Sequence, residues 1–236
     1  MNLFLMAAAI LATFSCGKSQ VNGGVRFSLG EGSVDEVVTK GQVSDYAALP
    51  ASGNFALTLK NSLGATVYNG LLSAWDESTQ LQAGNYTVSA SYGSPSAEGP
   101  SKPYFEGSAT FAVTGGATTS VSIPVTLGNC LVKIVCTEAF QNYYPTRVFH
   151  LSTPETPAGF DYDGTAVFVA YQWSIGGTLT SQGGTAYTLP ERSWSGDPAT
   201  CYTVKYDVSN TGGVSITISF SDTTETVTLE DLELNS

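Results

Sequence analysis

Few residues in this 236-residue chain are equipped for chemistry, and their spacing limits what they can do. There is one histidine, His150 in "RVFHLS", and any Ser-His-Asp or Cys-His site would have to use it. Strand alternation sets it on the face opposite Phe149 and Leu151, where it reads as a structural residue making one hydrogen bond. A zinc site takes three or four Cys, His or carboxylate ligands, which one histidine without a close cysteine pair does not supply. Asp161 and Asp163 in "GFDYDG" begin like a calcium loop, but the third oxygen ligand and distant glutamate of that pattern do not follow. They read as a turn with solvated carboxylates. Gly17-Lys18-Ser19 looks like the tail of a phosphate-binding loop, yet Ala12 stands where that loop needs its first glycine. No catalytic residue, metal ligand set or cofactor is assigned, and the chain reads as a non-enzyme.

Aromatic rings offer a binding chemistry instead. Tyr143, Tyr144, Phe160, Tyr162, Trp173, Tyr187 and Trp194 crowd the second half, several in turn-rich stretches. An aromatic face rimmed by amides and carboxylates suits a sugar ring, apolar on its faces and polar at its edge. Trp194 in "ERSWSGDP" leads this set, with Trp173, Tyr162 and Tyr187 beside it. The competing expectation is that most of these rings are core.

Cys16, Cys130, Cys136 and Cys201 are the cysteines. Cys130 and Cys136 are six apart in one strand, about 20 Å, so they cannot pair there. If "CLVKIVC" and "CYTVKY" lie antiparallel side by side, Cys136 meets Cys201. A bridge between those two and a set of free thiols both remain open. An immunoglobulin domain is disfavoured, because Trp173 lies too far along and Ala199 replaces the tyrosine expected two residues before the second cysteine.

Cys16 has a different setting. Leu3 to Phe14 is an apolar run of about a dozen residues, the length of a signal-peptide core and too short to span a bilayer. Small residues Thr13 and Ser15 precede the cysteine, although positive residues ahead of the run are missing and Phe14 fits a lipoprotein cleavage box poorly. The expectation is a signal peptide over 1–15, lipidation at Cys16 and a tether over 16–24. That places the protein at the outer membrane or cell surface, held to the membrane through its N-terminal lipid. Charged residues make up 12 % of the chain, about half the usual share. The formal net charge of −11 argues against a nucleic-acid partner, because phosphate binding needs clustered Lys and Arg.

The elements that must position these residues are strands. "VRFSL", "FALTLKN", "NYTVSASY", "SATFAV" and "TTSVSI" alternate apolar with polar residues and are separated by turn residues. "EGSVDEVVTKGQVSDYAALPASG" has no period and reads as a loop. Pro124 cannot donate to a ladder, so its strand belongs at an edge or a bulge. The pattern restarts at "CLVKIVCT" after Gly128-Asn129, and Asn210–Gly213 joins two alternating runs as a hairpin. The fold expected is all-β: two consecutive β-sandwich domains, immunoglobulin-like or transthyretin-like, over 25–128 and 129–236. Helix beyond the leader is not expected. A single continuous sandwich is the rival reading.

"LQAGNYTVSASYG", "KPYFEGSATFAV" and "LGNCLVKIVCTEAF" occur in this order. The arrangement resembles a domain-of-unknown-function family of exported Bacteroidetes lipoproteins. The resemblance implies a lipid-anchored surface β protein, a binding or adhesion/display module with a glycan or protein partner, and no enzymatic activity. More distantly the chain is similar to fimbrillin-like proteins. Those are two-domain precursors that are cut near the first strand and polymerise when another subunit's strand fills the vacated groove. In this chain Arg26 and Lys40 would be the basic residues available for cutting.

Overall fold

The structure, a computed structural model, describes residues 21–30, 42–208, 214–220 and 223–227, the last two stretches as backbone. The expected leader with Cys16, the expected cut site Lys40 and the hairpin turn expected at Asn210–Gly213 lie outside the described residues.

Alternation and turn chemistry translate directly into strands. β1 (Asn22–Leu29) opens the first half, followed by the hairpin β2 (Ala56–Asn61) and β3 (Thr66–Leu71). The "NSLG" turn between them forms because the Asn61 side-chain oxygen accepts from Leu63 N and Ala65 N, each at 3.0 Å, while Gly64 takes φ +78°. β4 (Gln80–Gln82), β5 (Gly84–Tyr92), β6 (Gly99–Pro100), β7 (Phe105–Val113), β8 (Thr118–Ile123) and β9 (Val125–Leu127) complete it. The second half runs β10 (Cys130–Cys136), α1 (Glu138–Tyr143), β11 (Thr146–Ser152), β12 (Phe160–Asp161), β13 (Val167–Val169) and β14 (Gln172–Thr180). It ends with β15 (Ala186–Ser195), β16 (Cys201–Val208), β17 (Val214–Phe220) and β18 (Thr223–Val227). The protein is all-β in class.

Four sheets form two layered pairs. β4-β1-β8 and β3-β2-β5-β7-β9 enclose one core, with Val25, Leu57, Leu59, Val88, Phe105, Ile123 and Val125 fully shielded from solvent. β18-β17-β16-β10-β13-β6 and β12-β11-β14-β15 enclose the other, around Val132, Phe140, Phe149, Trp173, Val204 and Tyr206. Among the described pairings two are parallel, β1 with β8 and β10 with β16. The chain changes sheets at Pro124: β8 is the edge of one layer and β9 the edge of the opposite layer. The missing N–H of the proline falls at that crossing, as its type requires.

Three sequence expectations need correction. Helix does occur, as α1, whose N-cap Thr137 accepts from Phe140 N at 3.2 Å and donates to Asp207 Oδ1 at 2.7 Å. Six residues are too few for helical periodicity to stand out in the sequence. The expected loop after β1 holds single helical turns at Val43–Asp45 and Ser52–Asn54. β10 is more than a one-faced strand. Cys130, Val132 and Ile134 face the second core while Leu131 enters the first. β13 does the same, with Val167 and Val169 turned one way and Phe168 the other.

Candidate functional site

The proposed sugar-binding aromatics are dispersed by the pleat. Trp173 and Trp194 are a cross-strand pair on β14 and β15, stacked at 4.6 Å between centroids and 29° between planes. Trp173 is 1 % exposed and Trp194 half-buried, both packed on the second core. Their neighbours Ser174 and Ser193 alternate to the outside, where the two hydroxyls bond at 2.8 Å. A cleft of about 300 Å³ at this end is lined by Pro154, Gln172, Trp173, Ser174, Ser193, Trp194 and Ser195. Tyr187 sits at the other end of the same hairpin, opposite Leu179 and edge-on to Tyr144. Tyr162 follows β12 on the rim of the second core. The four rings therefore do not form one platform.

Tyr162 lines a second cleft, of about 390 Å³, with Ile134, Cys136, Gln141, Arg147, Phe149 and Asp163 among its walls. Arg147 donates to Tyr144 O at 3.2 Å and to Gln141 Oε1 and Pro145 O, each at 3.4 Å. A cation beside the C-terminal end of a helix complements its dipole, and this guanidinium is engaged with the C-cap carbonyl just past α1. Burial raises the Tyr162 phenol above its ordinary range and outweighs the lowering contributions of a backbone bond near Ile134 and the Lys133 charge. Asp163 is held low by hydrogen bonds from Thr165, whose N–H lies at 2.9 Å. It caps its own turn.

His150 lies on β11 between buried Phe149 and Leu151, and its Nδ1 is 3.0 Å from Asp161 Oδ1 on β12. That is one cross-strand contact between two exposed groups. Among the described residues no group of three His, Cys, Asp or Glu could hold a metal ion.

The cysteines are arranged against the expected bridge. Among the described residues Cys130, Cys136 and Cys201 form no disulfide. β10 and β16 run parallel, so Cys201 pairs with Leu131 and Cys136 pairs with Tyr206, five rows away. At the usual rise that is about 17 Å, far beyond disulfide reach. The two thiols also pack on different cores, Cys136 on the second and Cys201 on the first. Burial pushes the Cys130 thiol up to about 12. It raises Cys136 too, with Arg147 pulling weakly the other way. Thiols so protonated are poor nucleophiles.

Two polar residues that sequence reasoning did not assign to a site, Glu98 and Asn129, hydrogen-bond segments of the first half to segments of the second. Glu98, in the connection between β5 and β7, accepts from the Thr153 and Thr156 hydroxyls on Oε2 and from Ala170 N on Oε1, the last at 2.8 Å. Asn129 is 2 % exposed; its Oδ1 accepts from Tyr104 N at 3.2 Å and its Nδ2 donates to Lys102 O at 3.0 Å. Asn129 beside Gly128 at the pattern break carried some signal, whereas Glu98 in "SPSAEGPSKP" carried none.

Four sheets in two layered pairs make this an all-β sandwich protein. The chain belongs to the family described as Domain of unknown function (DUF4493), whose model matches residues 22–236. This agrees with the resemblance to a domain-of-unknown-function family drawn from the strand motifs. Among solved structures the chain is similar to a fimbrial assembly protein from Parabacteroides distasonis, with TM-score 0.46, 11% identity, and 88% of this chain and 98% of that chain covered. It is also similar to a "putative cell adhesion protein" from Bacteroides eggerthii, with TM-score 0.47, 10% identity, and 86% and 95% covered. No curated protein matches the chain. Among the described residues no helix is long and apolar enough to cross a membrane.

Proposed function

We propose that this protein is an exported, lipid-anchored surface module that binds or displays a partner and catalyses no reaction. The observation that carries the reading is the apolar run Leu3–Phe14 ending at Cys16, just ahead of β1 and of the family match that begins at residue 22. A leader, a single acylatable thiol and a short tether are the order in which such a precursor is built. Several acyl chains on one cysteine would make that attachment stable. Metabolic labelling with a radioactive fatty acid tests it. The parent incorporates label and fractionates with membranes, and Cys16→Ala does neither; an unlabelled, unprocessed parent would defeat the proposal.

A glycan is the ligand class we place at the Trp194 end of β14–β15, where hydroxyls and the Gln172 amide border the cleft. Trp194→Ala is the variant to compare with the parent on a glycan array, after checking that it still unfolds cooperatively. Unchanged recognition would remove Trp194 from the reading.

A second reading, assembly by strand exchange after proteolysis, is favoured by the place of β1. It bonds to β8 along Gly24–Leu29 and to β4 through three residues, and it contributes Val25 and Phe27 to the first core. Its loss would open a groove shaped for another strand. Arg26 lies exposed in mid-strand, 3.2 Å from Glu77. Limited proteolysis near residues 26–40 followed by mass photometry separates the readings. Oligomer ladders support exchange, and a cut chain that stays monomeric rejects it.

A further inference from the structure

We propose that the connection between β5 and β7, residues 93–104, is a strap that fastens the two cores into one cooperative folding unit, with the Glu98 carboxylate as its catch. β5 and β7 are adjacent antiparallel strands, which short hairpin loops of two to five residues ordinarily join. This link runs for the twelve residues between Tyr92 and Phe105. The extra length crosses to the second half and returns.

Each part of the strap is anchored. At its base Gly93 takes φ +82°, and a Cβ there would lie 2.5 Å from Pro103 O, so the two legs are pinched together. At its crest Gly99 and Pro100 form β6, paired with Phe168 and Val167 of β13. The Phe160 ring lies 3.3 Å from where a Gly99 Cβ would stand, closing over the crest. Beside it Glu98 gathers the Thr153 and Thr156 hydroxyls and Ala170 N, groups from two separate loops of the second half. Thr153 is itself buried and also accepts from Thr156 N at 2.9 Å. At the far leg Asn129 ties Lys102 O and Tyr104 N to the start of β10, and its own carbonyl accepts from Ala199 N at 2.9 Å. Ser101 holds φ +55° between these anchors, a left-handed conformation that a serine keeps only where its surroundings enforce it.

The apolar contacts agree. Leu131, Ala166 and Phe168, from the second half, are buried members of the first core. Unfolding either half alone would open the other core and break three hydrogen bonds to one carboxylate, which disfavours half-folded states. The inference concerns folding and rigidity, and it stands whether or not the surface-module reading does.

Urea unfolding read by hydrogen exchange and mass spectrometry, with separate peptides from β5 and β11, tests it. In the parent both peptides lose protection at one midpoint. In Glu98→Ala the midpoints part or fall together, by about 1 M urea. Glu98→Gln, which keeps one acceptor, shows a smaller change in the same direction. Glu77→Ala, the loss of an exposed carboxylate, leaves both midpoints in place. Two midpoints in the parent, no movement in Glu98→Ala, or an equal movement in Glu77→Ala would each overturn the proposal.

Discussion

The two halves of the chain share a wiring scheme and differ in what fills it. In each, the opening strand lies between an antiparallel neighbour and a later parallel one: β1 between β4 and β8, β10 between β13 and β16. In each, a glycine sits where strands approach too closely for a side chain. A Cβ on Gly107 would lie 1.9 Å from Pro124 O, and one on Gly177 2.0 Å from Val148 O. The fillings diverge. The first core is chiefly aliphatic around Phe55 and Phe105, and its polar rings reach partners at the rim, as Trp75 Nε1 does at Val25 O, 3.0 Å away. The second packs Phe140, Tyr144, Phe149, Trp173, Tyr202 and Tyr206 together with the thiol of Cys130. Trp173 Nε1 and Tyr206 Oη lie buried there without hydrogen-bond partners among the described residues. The same frame can thus be closed with its polar ring atoms satisfied at the rim or with rings whose polar atoms are stranded inside, and the second filling leaves room for improvement by substitution.

That comparison can be broken most forcefully at the shared glycines. Gly107→Val and Gly177→Val should each cost about 4 kcal/mol or more, because backbone rather than a flexible side chain blocks the new atoms. Loss of soluble, cooperatively melting protein in both is the expected result. A stable Gly177→Val with a damaged Gly107→Val would show that the frames are not equivalent.

The seam and the stranded hydroxyl should behave in opposite ways. Asn129→Ala removes two hydrogen bonds from a buried site and should destabilise by about 2–3 kcal/mol. Tyr206→Phe removes an unpartnered hydroxyl and should be neutral or stabilising by up to about 1 kcal/mol. Urea midpoints with unchanged m-values would check both.

The smallest effect expected is from reductant. Because Cys130, Cys136 and Cys201 are unbridged, dithiothreitol should leave the melting temperature in place. Alkylation of the native protein should reach Cys130 last, since it is fully buried and its thiol is pushed up to about 12. Rapid labelling of Cys130 ahead of Cys136 and Cys201 would contradict the burial of that strand end.

Much of this architecture was legible because strand alternation is local. Tyr86, Val88 and Ala90 share a buried face as their spacing requires, and the break at Gly128-Asn129 is where the chain leaves one sheet for another. The direction of pairing was not legible. β10 and β16 each alternate identically whether they run parallel or antiparallel, so the Cys136–Cys201 bridge rested on an orientation that period alone cannot fix. The four rings are dispersed for a related reason. Composition counts rings, but the pleat decides which of them turn inward.

The sequence by itself therefore determined the class of the fold and which residues share a strand face, both properties of neighbours along the chain. Tertiary structure decided the parallel registers, the separation of the cysteines and the junction at Glu98 and Asn129. Those depend on groups brought together from positions 25 to 94 residues apart, for which no local period carries a sign.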